Sequence, residues 1–257
     1  MSEKYFMAVD AGTGSVRAVL FDTSGRQMGC VQQEWEHSED PRYPGSMDFD
    51  WTYNWKLASE CIRGVLEQTK LNPKQIAAVS TTCMREGIVL YDADGSEIWA
   101  CANVDARSND EVGELIRMNP ELEKDVYLES GQTYALGALP RLLWVKNKRP
   151  DIYQKTAAVG MLNDWLIYKM TGFLAVEPSN GSTTGIFDLH KRTWDPKIAE
   201  KCGLRPDIFP AVLECGRVAA SVNTKGAADT GLAEGTPVVV GGGDAQLGCI
   251  GVGVVDP

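Results

Sequence analysis

The chain of 257 residues has only two histidines, His37 and His190, and its seven cysteines include no C-x-x-C pair. Both histidines lie in polar segments typical of loops, which disfavours a Cys–His nucleophile pair and a zinc site. An odd number of widely spaced cysteines is typical of reduced thiols. We therefore expect a cytoplasmic protein without a disulfide framework.

Positive charge and long apolar runs are also scarce. Asp and Glu outnumber Lys and Arg by 35 to 25, and the net charge of −10 disfavours nucleic acid or an anionic membrane as the main partner. No apolar stretch approaches the roughly 20 residues of a membrane span, and Met1-Ser2-Glu3-Lys4 leads into a strand pattern without a cleavable leader. With 44% hydrophobic residues, the chain can bury a large core.

Strand patterns precede helical ones along the chain. A helical spacing of apolar residues covers 50–68, and helical patterns dominate again from the end of a short hairpin to Met170. Strands are predicted at 5–9, 16–22, 27–33, 76–82, 87–91, 97–101 and 236–240. This order of elements, in which a hairpin is followed by a third strand, a helix and a further strand, is that of a ribonuclease H-like α/β domain. We expect a mixed β-sheet flanked by helices.

A glycine-rich turn, Asp10-Ala11-Gly12-Thr13-Gly14-Ser15, separates the first two strands. Glycines let backbone N–H groups approach an anionic oxygen closely, hydroxyls add donors, and Asp10 could hold a metal ion. The turn is not a P-loop, because no Lys follows and a strand replaces the helix. A dinucleotide motif fails because Arg17 occupies its third glycine position. An ordinary hairpin turn stays the alternative. The predicted phosphate-binding residues are Gly12, Thr13, Gly14, Ser15 and Arg17.

Polar residues follow two further strands. Arg85 and Glu86 come directly after the strand at 76–82, and together they supply donors and an acceptor for a polyhydroxylated substrate. Asn103 and Asp105 follow the next hairpin, and the Asp105 carboxylate is a second candidate acceptor of a substrate hydroxyl. A solvated surface ion pair is the alternative interpretation of Arg85 and Glu86.

Asp244 follows the strand at 236–240 and three glycines, Gly241-Gly242-Gly243. We expect the glycines to form a turn that directs the Asp244 carboxylate above the sheet, where it would act as the general base for an attacking hydroxyl. A loop with a capping aspartate is the alternative.

These motifs resemble those of the FGGY carbohydrate kinases, and Pro140-Arg141-Leu142-Leu143-Trp144 resembles a further signature of that family. One branch of the family phosphorylates a quorum-sensing signal derived from 4,5-dihydroxy-2,3-pentanedione. Three segments of this chain are similar to the corresponding segments of that branch: 84–91, 99–107 and Pro178-Ser179-Asn180. The resemblance implies ATP and Mg²⁺ as cofactors, Asp244 as the base and Asp10 as a magnesium ligand. It also implies that Arg85, Glu86, Asn103, Asp105 and Asp244 contact the substrate.

The resemblance also defines what this chain would lack. Family members are about twice as long, so residues 1–257 would form the amino-terminal substrate-binding domain, and a carboxy-terminal nucleotide-binding domain would be absent. Glycerol kinases carry aromatic residues where this chain has Asn103 and Leu136, which disfavours glycerol. Xylulose kinases use a Met-His type pair in place of Arg85-Glu86, which disfavours xylulose as the substrate without excluding it. The alternatives are a kinase for another sugar or polyol and a non-catalytic ligand-binding module on the same fold.

Overall fold

The computed structural model describes residues 3–135 and 137–254. The expectations that involve Met1, Ser2 and Leu136 fall outside the described residues. The strands are β1 (Tyr5–Ala11), β2 (Ser15–Asp22), β3 (Gln27–Glu34), β4 (Ile76–Cys83), β5 (Ile88–Tyr91), β6 (Glu97–Cys101), β7 (Ala158–Met161), β8 (Phe187–Asp188), β9 (Thr193–Trp194), β10 (Val218–Ser221) and β11 (Pro237–Gly243). The α-helices are α1 (Trp51–Thr69), α2 (Asn109–Met118), α3 (Leu122–Ser130), α4 (Ala138–Lys148), α5 (Pro150–Lys155), α6 (Leu162–Thr171), α7 (Pro178–Gly181), α8 (Pro196–Lys201), α9 (Thr224–Thr230) and α10 (Asp244–Gly251).

The larger sheet has the strand order β10-β11-β4-β1-β2-β3. Strands β1, β2 and β3 form an antiparallel meander, while β4 runs parallel to both β1 and β11. The sheet is therefore mixed and flanked by helices, which confirms the predicted fold class. Because β1, β4 and β11 are parallel, their carboxyl ends share one edge, and ligands of α/β sheets bind at such edges.

Helix α1 begins where the sequence predicted. The Asp50 carboxylate accepts hydrogen bonds from the N–H groups of Thr52 at 3.1 Å and Tyr53 at 2.9 Å, so it satisfies donors that the first helical turn leaves free. The apolar face of α1, including Ile62 and Val65, is fully buried in the core cluster that includes the larger sheet. Helix α6 contributes Trp165 to the same core.

A second sheet, with the order β6-β5-β7, belongs to a second core together with α4. Strand β7 lies in a segment that the sequence predicted as helical, so that prediction was wrong for Ala158–Met161. These four residues are too few to show a periodicity, and they become a strand because they pair antiparallel with β5.

The prediction that Gly241–Gly243 form a turn was also wrong, because these glycines are the last residues of β11. None of them has a positive φ. A Cβ at Gly241 would lie 1.5 Å from the carbonyl oxygen of Thr81 on the neighbouring strand β4. Close contact between the two strands, and not a turn conformation, therefore requires glycine at Gly241.

No helix in the part of the chain that the structure describes combines the length and the apolar character needed to cross a lipid bilayer.

Candidate active site at the carboxyl edge of the sheet

Asp10 and Asp244 lie at the ends of the two strands that flank β4. Asp10 is paired with Thr82 of β4, and Gly243, which precedes Asp244, is paired with Cys83. Two strand spacings separate β1 from β11, which corresponds to about 10 Å. Burial raises the pKa of the Cys83 thiol well above its usual value, and the carboxylates of Asp164, Asp244 and Asp10 add to the increase. The two ends of the chain therefore bring their carboxylates to one edge of the sheet.

The glycine turn is fixed by side chains that follow β3. The indole N–H of Trp35 donates to the carbonyl oxygens of Gly12 and Thr13, at 3.0 and 3.1 Å. The Nε2 atom of His37 lies 2.8 Å from the same Thr13 oxygen, and burial lowers the pKa of His37, which favours a neutral ring that donates through Nε2–H. An ideal Cβ at Gly14 would meet no atom within 4 Å, so one side of the turn is open to a ligand.

The two hydroxyl residues of the turn occupy different places. Thr13 is exposed, and its Oγ1 accepts a hydrogen bond from the Asn103 side-chain amide at 3.0 Å. Ser15 is the first residue of β2, and its carbonyl oxygen accepts the Gly12 N–H at 2.9 Å. The contact between Thr13 and Asn103 joins the predicted phosphate turn to a predicted substrate-binding residue that is 90 positions away.

Asp10 and Arg17 form an ion pair across β1 and β2. The two residues are directly opposite in the antiparallel register, and Arg17 donates from Nε at 2.8 Å and from a terminal nitrogen at 2.7 Å to one oxygen of Asp10. The Arg17 side chain is 51% exposed, so the pair contributes little to stability, and a phosphate oxygen can compete for the guanidinium. The predicted metal ligand and the predicted phosphate-binding cation therefore lie in contact.

Arg85 and Glu86 follow β4, as predicted, and lie beside the end of β11. A terminal nitrogen of Arg85 is 3.8 Å from the Glu86 carboxylate. A Cβ at Gly243 would lie 3.0 Å from the Cγ and Cδ atoms of the Arg85 side chain. Burial raises the pKa of Glu86, Asp244 adds to the increase, and Arg85 and Arg141 oppose it. Glu86 therefore feels the charge of Asp244, and the Arg85 side chain lies beside Gly243, the residue before Asp244.

Asn103 and Asp105 differ in accessibility. Asn103 is half-buried and faces the turn at Thr13, whereas the Asp105 side chain has no exposed surface. The Asp105 carboxylate accepts hydrogen bonds from the Met47 N–H at 2.7 Å and from Nε of Arg107 at 2.7 Å. In this arrangement the Asp105 carboxylate does not face an open surface, contrary to what contact with a substrate hydroxyl requires. Its contacts instead connect the backbone of Met47 to Arg107.

A buried polar network behind Asp244 was missed by the sequence reasoning. The Ser179 hydroxyl donates to Glu177, and its oxygen accepts the Gly243 N–H at 2.9 Å. Glu177 is 3% exposed, and the Gly242 carbonyl oxygen accepts the Thr82 hydroxyl at 2.8 Å. These bonds fix the backbone that leads into Asp244. The only sequence signal for them was the segment Pro178-Ser179-Asn180, to which no role had been given.

Asp164, at the start of α6, lies in the same buried region. It is 1% exposed, and one of its oxygens accepts the Met161 N–H at 2.9 Å. Burial raises the pKa of this carboxyl to about 8, and the nearby Glu177 carboxylate adds to the increase. This carboxyl is closed to solvent and has a structural role.

The site therefore combines a glycine turn that is open on one side, an exposed carboxylate directly after β11 and a half-buried pair that can bind hydroxyls. Among residues 3–135 and 137–254, no cluster of three or more His, Cys, Asp or Glu side chains is arranged to hold a metal. Mg²⁺ in phosphoryl-transfer sites is bound through one or two carboxylates together with phosphate oxygens and waters, so Asp10 alone fits that requirement.

Curated relatives match this chain over its whole length. The chain is 54% identical over 257 residues to an autoinducer-2 kinase of Yersinia enterocolitica, covering all of this chain and 49% of the relative. It is 52% identical to the autoinducer-2 kinase of Escherichia coli K12, covering all of this chain and 48% of the relative. The chain thus spans about half the length of these curated relatives.

Solved structures show the same fold at lower identity. The crystal structure of a xylulose kinase from Rhodospirillum rubrum matches 99% of this chain and 52% of that protein, with a TM-score of 0.90 at 22% identity. A glycerol kinase of Plasmodium falciparum, solved with ADP, matches 99% of this chain and 51% of that protein, with a TM-score of 0.88 at 20% identity. The model of the amino-terminal domain of the FGGY family of carbohydrate kinases matches residues 5–251, and the chain belongs to that family.

Proposed function

We propose that this chain forms the substrate-binding half of an ATP-dependent kinase. The whole kinase would phosphorylate autoinducer-2, the signal derived from 4,5-dihydroxy-2,3-pentanedione, on the terminal hydroxyl of that signal. The observation that carries the proposal is the identity of 52–54% to autoinducer-2 kinases over the whole chain. The geometry agrees with a phosphotransferase, because Asp10, the glycine turn and Asp244 share one edge of the sheet. The cytoplasm, where ATP is available, is the compartment for this activity.

Asp244 is assigned the role of general base. It is exposed at the first position of α10, and the buried network around Ser179 fixes the backbone before it. A carboxylate in this position accepts the proton of the substrate hydroxyl as the oxygen attacks the transferred phosphoryl group. Positioning of the acceptor and stabilisation of charge account for most of catalysis in phosphoryl transfer.

The turn and Asp10 are assigned to the transferred phosphate. The open side of the turn, the exposed Thr13 hydroxyl and the Arg17 guanidinium provide donors for phosphate oxygens. Asp10 would hold Mg²⁺, which neutralises charge on the phosphates when bound. Its carboxylate binds Arg17 through one oxygen, which leaves the other available for this purpose. The adenine pocket would lie in the half of the relatives that this chain does not match.

The substrate hydroxyls are assigned to Arg85, Glu86 and Asn103. A guanidinium, a carboxylate and an amide provide donors and acceptors, as a polyhydroxylated carbonyl compound requires. Asn103 replaces an aromatic residue of glycerol kinases, which agrees with a more polar substrate. Asp105 is left out of this set, because its carboxylate is buried against Met47 and Arg107.

A chimera tests the proposal. It joins residues 1–257 to the unmatched half of the Yersinia enterocolitica relative, and ATP consumption is measured with the pentanedione, xylulose and glycerol. We expect the highest kcat/KM for the pentanedione. Asp244→Asn should lower kcat about 10²–10⁴-fold, the range that general-base catalysis contributes, while substrate affinity persists. Asp110→Asn is the matched control, because Asp110 is also an exposed acid in the first turn of a helix.

Each outcome bears on a separate part of the proposal. A preference for xylulose or glycerol would contradict the assigned substrate but not the kinase activity. Substantial turnover by the Asp244→Asn chimera would contradict the assignment of the base. Binding of the pentanedione without ATP consumption by the chimera would favour a non-catalytic ligand-binding module.

A further inference from the structure

Arg141 in α4 is a buried cation whose hydrogen bonds to residues that the structure describes all lead to backbone carbonyl groups. The residue is 3% exposed. One terminal nitrogen donates to the carbonyl oxygen of Glu86, and the other donates to the carbonyl oxygens of Asn103, at 2.6 Å, and Asp105, at 3.0 Å. The guanidinium therefore connects two segments that are distant in sequence and that both carry residues assigned to the site.

The electrostatic setting of Arg141 is unusual for a buried charge. None of the ion pairs found in the described part of the chain includes Arg141, whereas the neighbouring Arg107 is paired with Asp48 and Asp105. Removal of a cation from water without a carboxylate partner is unfavourable unless hydrogen bonds replace the lost hydration. Three carbonyl dipoles supply that replacement, so the position of Arg141 depends on these carbonyl groups, and their position depends on Arg141.

The conformation of Glu86 shows what the contact achieves. Glu86 has a φ of 66°, in the left-handed region that residues other than glycine seldom adopt. The Gly87 N–H donates to the Arg85 carbonyl at 2.9 Å across this residue, and Arg141 holds the Glu86 carbonyl on the other side. The left-handed backbone is thus fixed from both sides, and it determines where the Arg85 and Glu86 side chains begin.

We propose that Arg141 is a positioning residue that sets the separation between the Arg85-Glu86 segment and the Asn103 segment, and thereby determines substrate affinity. This inference rests on the proposed function, in which both segments contact the substrate. A planar guanidinium directs its donors along fixed directions, so it holds carbonyl groups of two segments at a defined distance. A lysine ammonium carries the same charge without this geometry, so Arg141→Lys separates the effect of shape from the effect of charge.

The first test measures kinetics in the chimera described above. Arg141→Lys should raise KM for the acceptor about tenfold or more, with kcat and KM for ATP changed less than about threefold, because an interaction common to ground and transition states is weakened. Arg63→Lys is the matched control, since Arg63 also donates to backbone carbonyls, those of Ala228 and Asp229, which belong to α9. An unchanged acceptor KM, or equal losses in both variants, would refute the inference.

The second test needs no ligand, so it remains decisive if the proposed substrate is wrong. Hydrogen exchange of the 257-residue chain is compared for the parent, Arg141→Lys and Arg63→Lys. Exchange in segments 84–87 and 102–106 should accelerate about tenfold or more in Arg141→Lys, while the core strands keep their protection. Unchanged exchange in both segments would refute the positioning role. An equal acceleration throughout the chain would also contradict it, because it would show that Arg141 stabilises the whole fold and not these two segments in particular.

A third variant separates folding from positioning. Arg141→Ala, tested in the chimera at low millimolar concentrations of guanidinium chloride, should regain part of its acceptor affinity, because the free cation can occupy the space between the three carbonyl groups. Sodium chloride at the same concentration should have no such effect. If Arg141→Ala is folded and guanidinium does not lower the acceptor KM, the proposed geometry is wrong.

Discussion

Replacement of Ser179 by alanine should destabilise the chain more than loss of a hydroxyl group usually does. The Ser179 hydroxyl donates to the buried carboxylate of Glu177, and its oxygen accepts the N–H of the buried Gly243 at 2.9 Å. A hydrogen bond to a charged group contributes about 1.5–3 kcal/mol, and a buried amide without a partner costs about 1–3 kcal/mol. Together these effects predict a loss of about 2.5–6 kcal/mol, which is a large part of the stability of a typical domain.

Urea unfolding of the chain, followed by circular dichroism, measures this loss, provided that the slope of the transition is unchanged. Ser182→Ala is the matched control. The Ser182 hydroxyl donates to a neutral acceptor, the Ser179 carbonyl, at 3.1 Å, so its removal should cost only about 0.5–1.5 kcal/mol. If Ser179→Ala loses less than about 1 kcal/mol, or no more than the control, the hydroxyl does not connect Glu177 to β11 in the manner described.

Two further predictions concern the buried interior. Burial raises the pKa of Asp164 to about 8, so the folded chain keeps a proton that the unfolded chain releases, and stability should fall as pH rises from about 4 to about 8. Asp164→Asn, which cannot ionise, should lose this dependence when urea midpoints are compared across that range, and an equal slope in the variant would show that another group is responsible. Gly241→Ala should prevent folding, because its Cβ would lie 1.5 Å from the Thr81 oxygen, whereas Gly14→Ala should keep the thermal midpoint because its Cβ meets no atom within 4 Å. A folded and stable Gly241→Ala chain would contradict the close packing of β4 against β11.

Features with a local pattern could be predicted from the sequence. The meander β1–β3, helix α1 and the strand ends that carry Arg85 and Asp244 follow from apolar spacing and turn residues, and the structure places them accordingly. Strand β7 could not be predicted in this way, because four residues show no periodicity and its pairing partner, β5, is far away in the chain. The hydrogen bonds that hold the site in place could not be predicted either, because Ser179 and Gly243, which form one of them, are 64 residues apart in the sequence.

The exposure of individual carboxylates was equally hidden from the sequence. Asp105 and Asp244 both follow strands, and the sequence suggested that both carboxylates contact the substrate, Asp105 as the acceptor of a hydroxyl and Asp244 as the general base. The structure shows that Arg107, only two residues after Asp105, occupies the Asp105 carboxylate, whereas Asp244 stays exposed. Whether an acid at a strand end is available to a ligand depends on the partners that folding brings to it, and these partners cannot be read from strand patterns.

The Gly243 amide, immediately before α10, is held by the Ser179 hydroxyl, which itself donates to the buried Glu177 carboxylate. The point at which α10 leaves the sheet is therefore set from the protein interior. A substitution at Ser179 would shift the origin of the Asp244 carboxylate without altering that side chain.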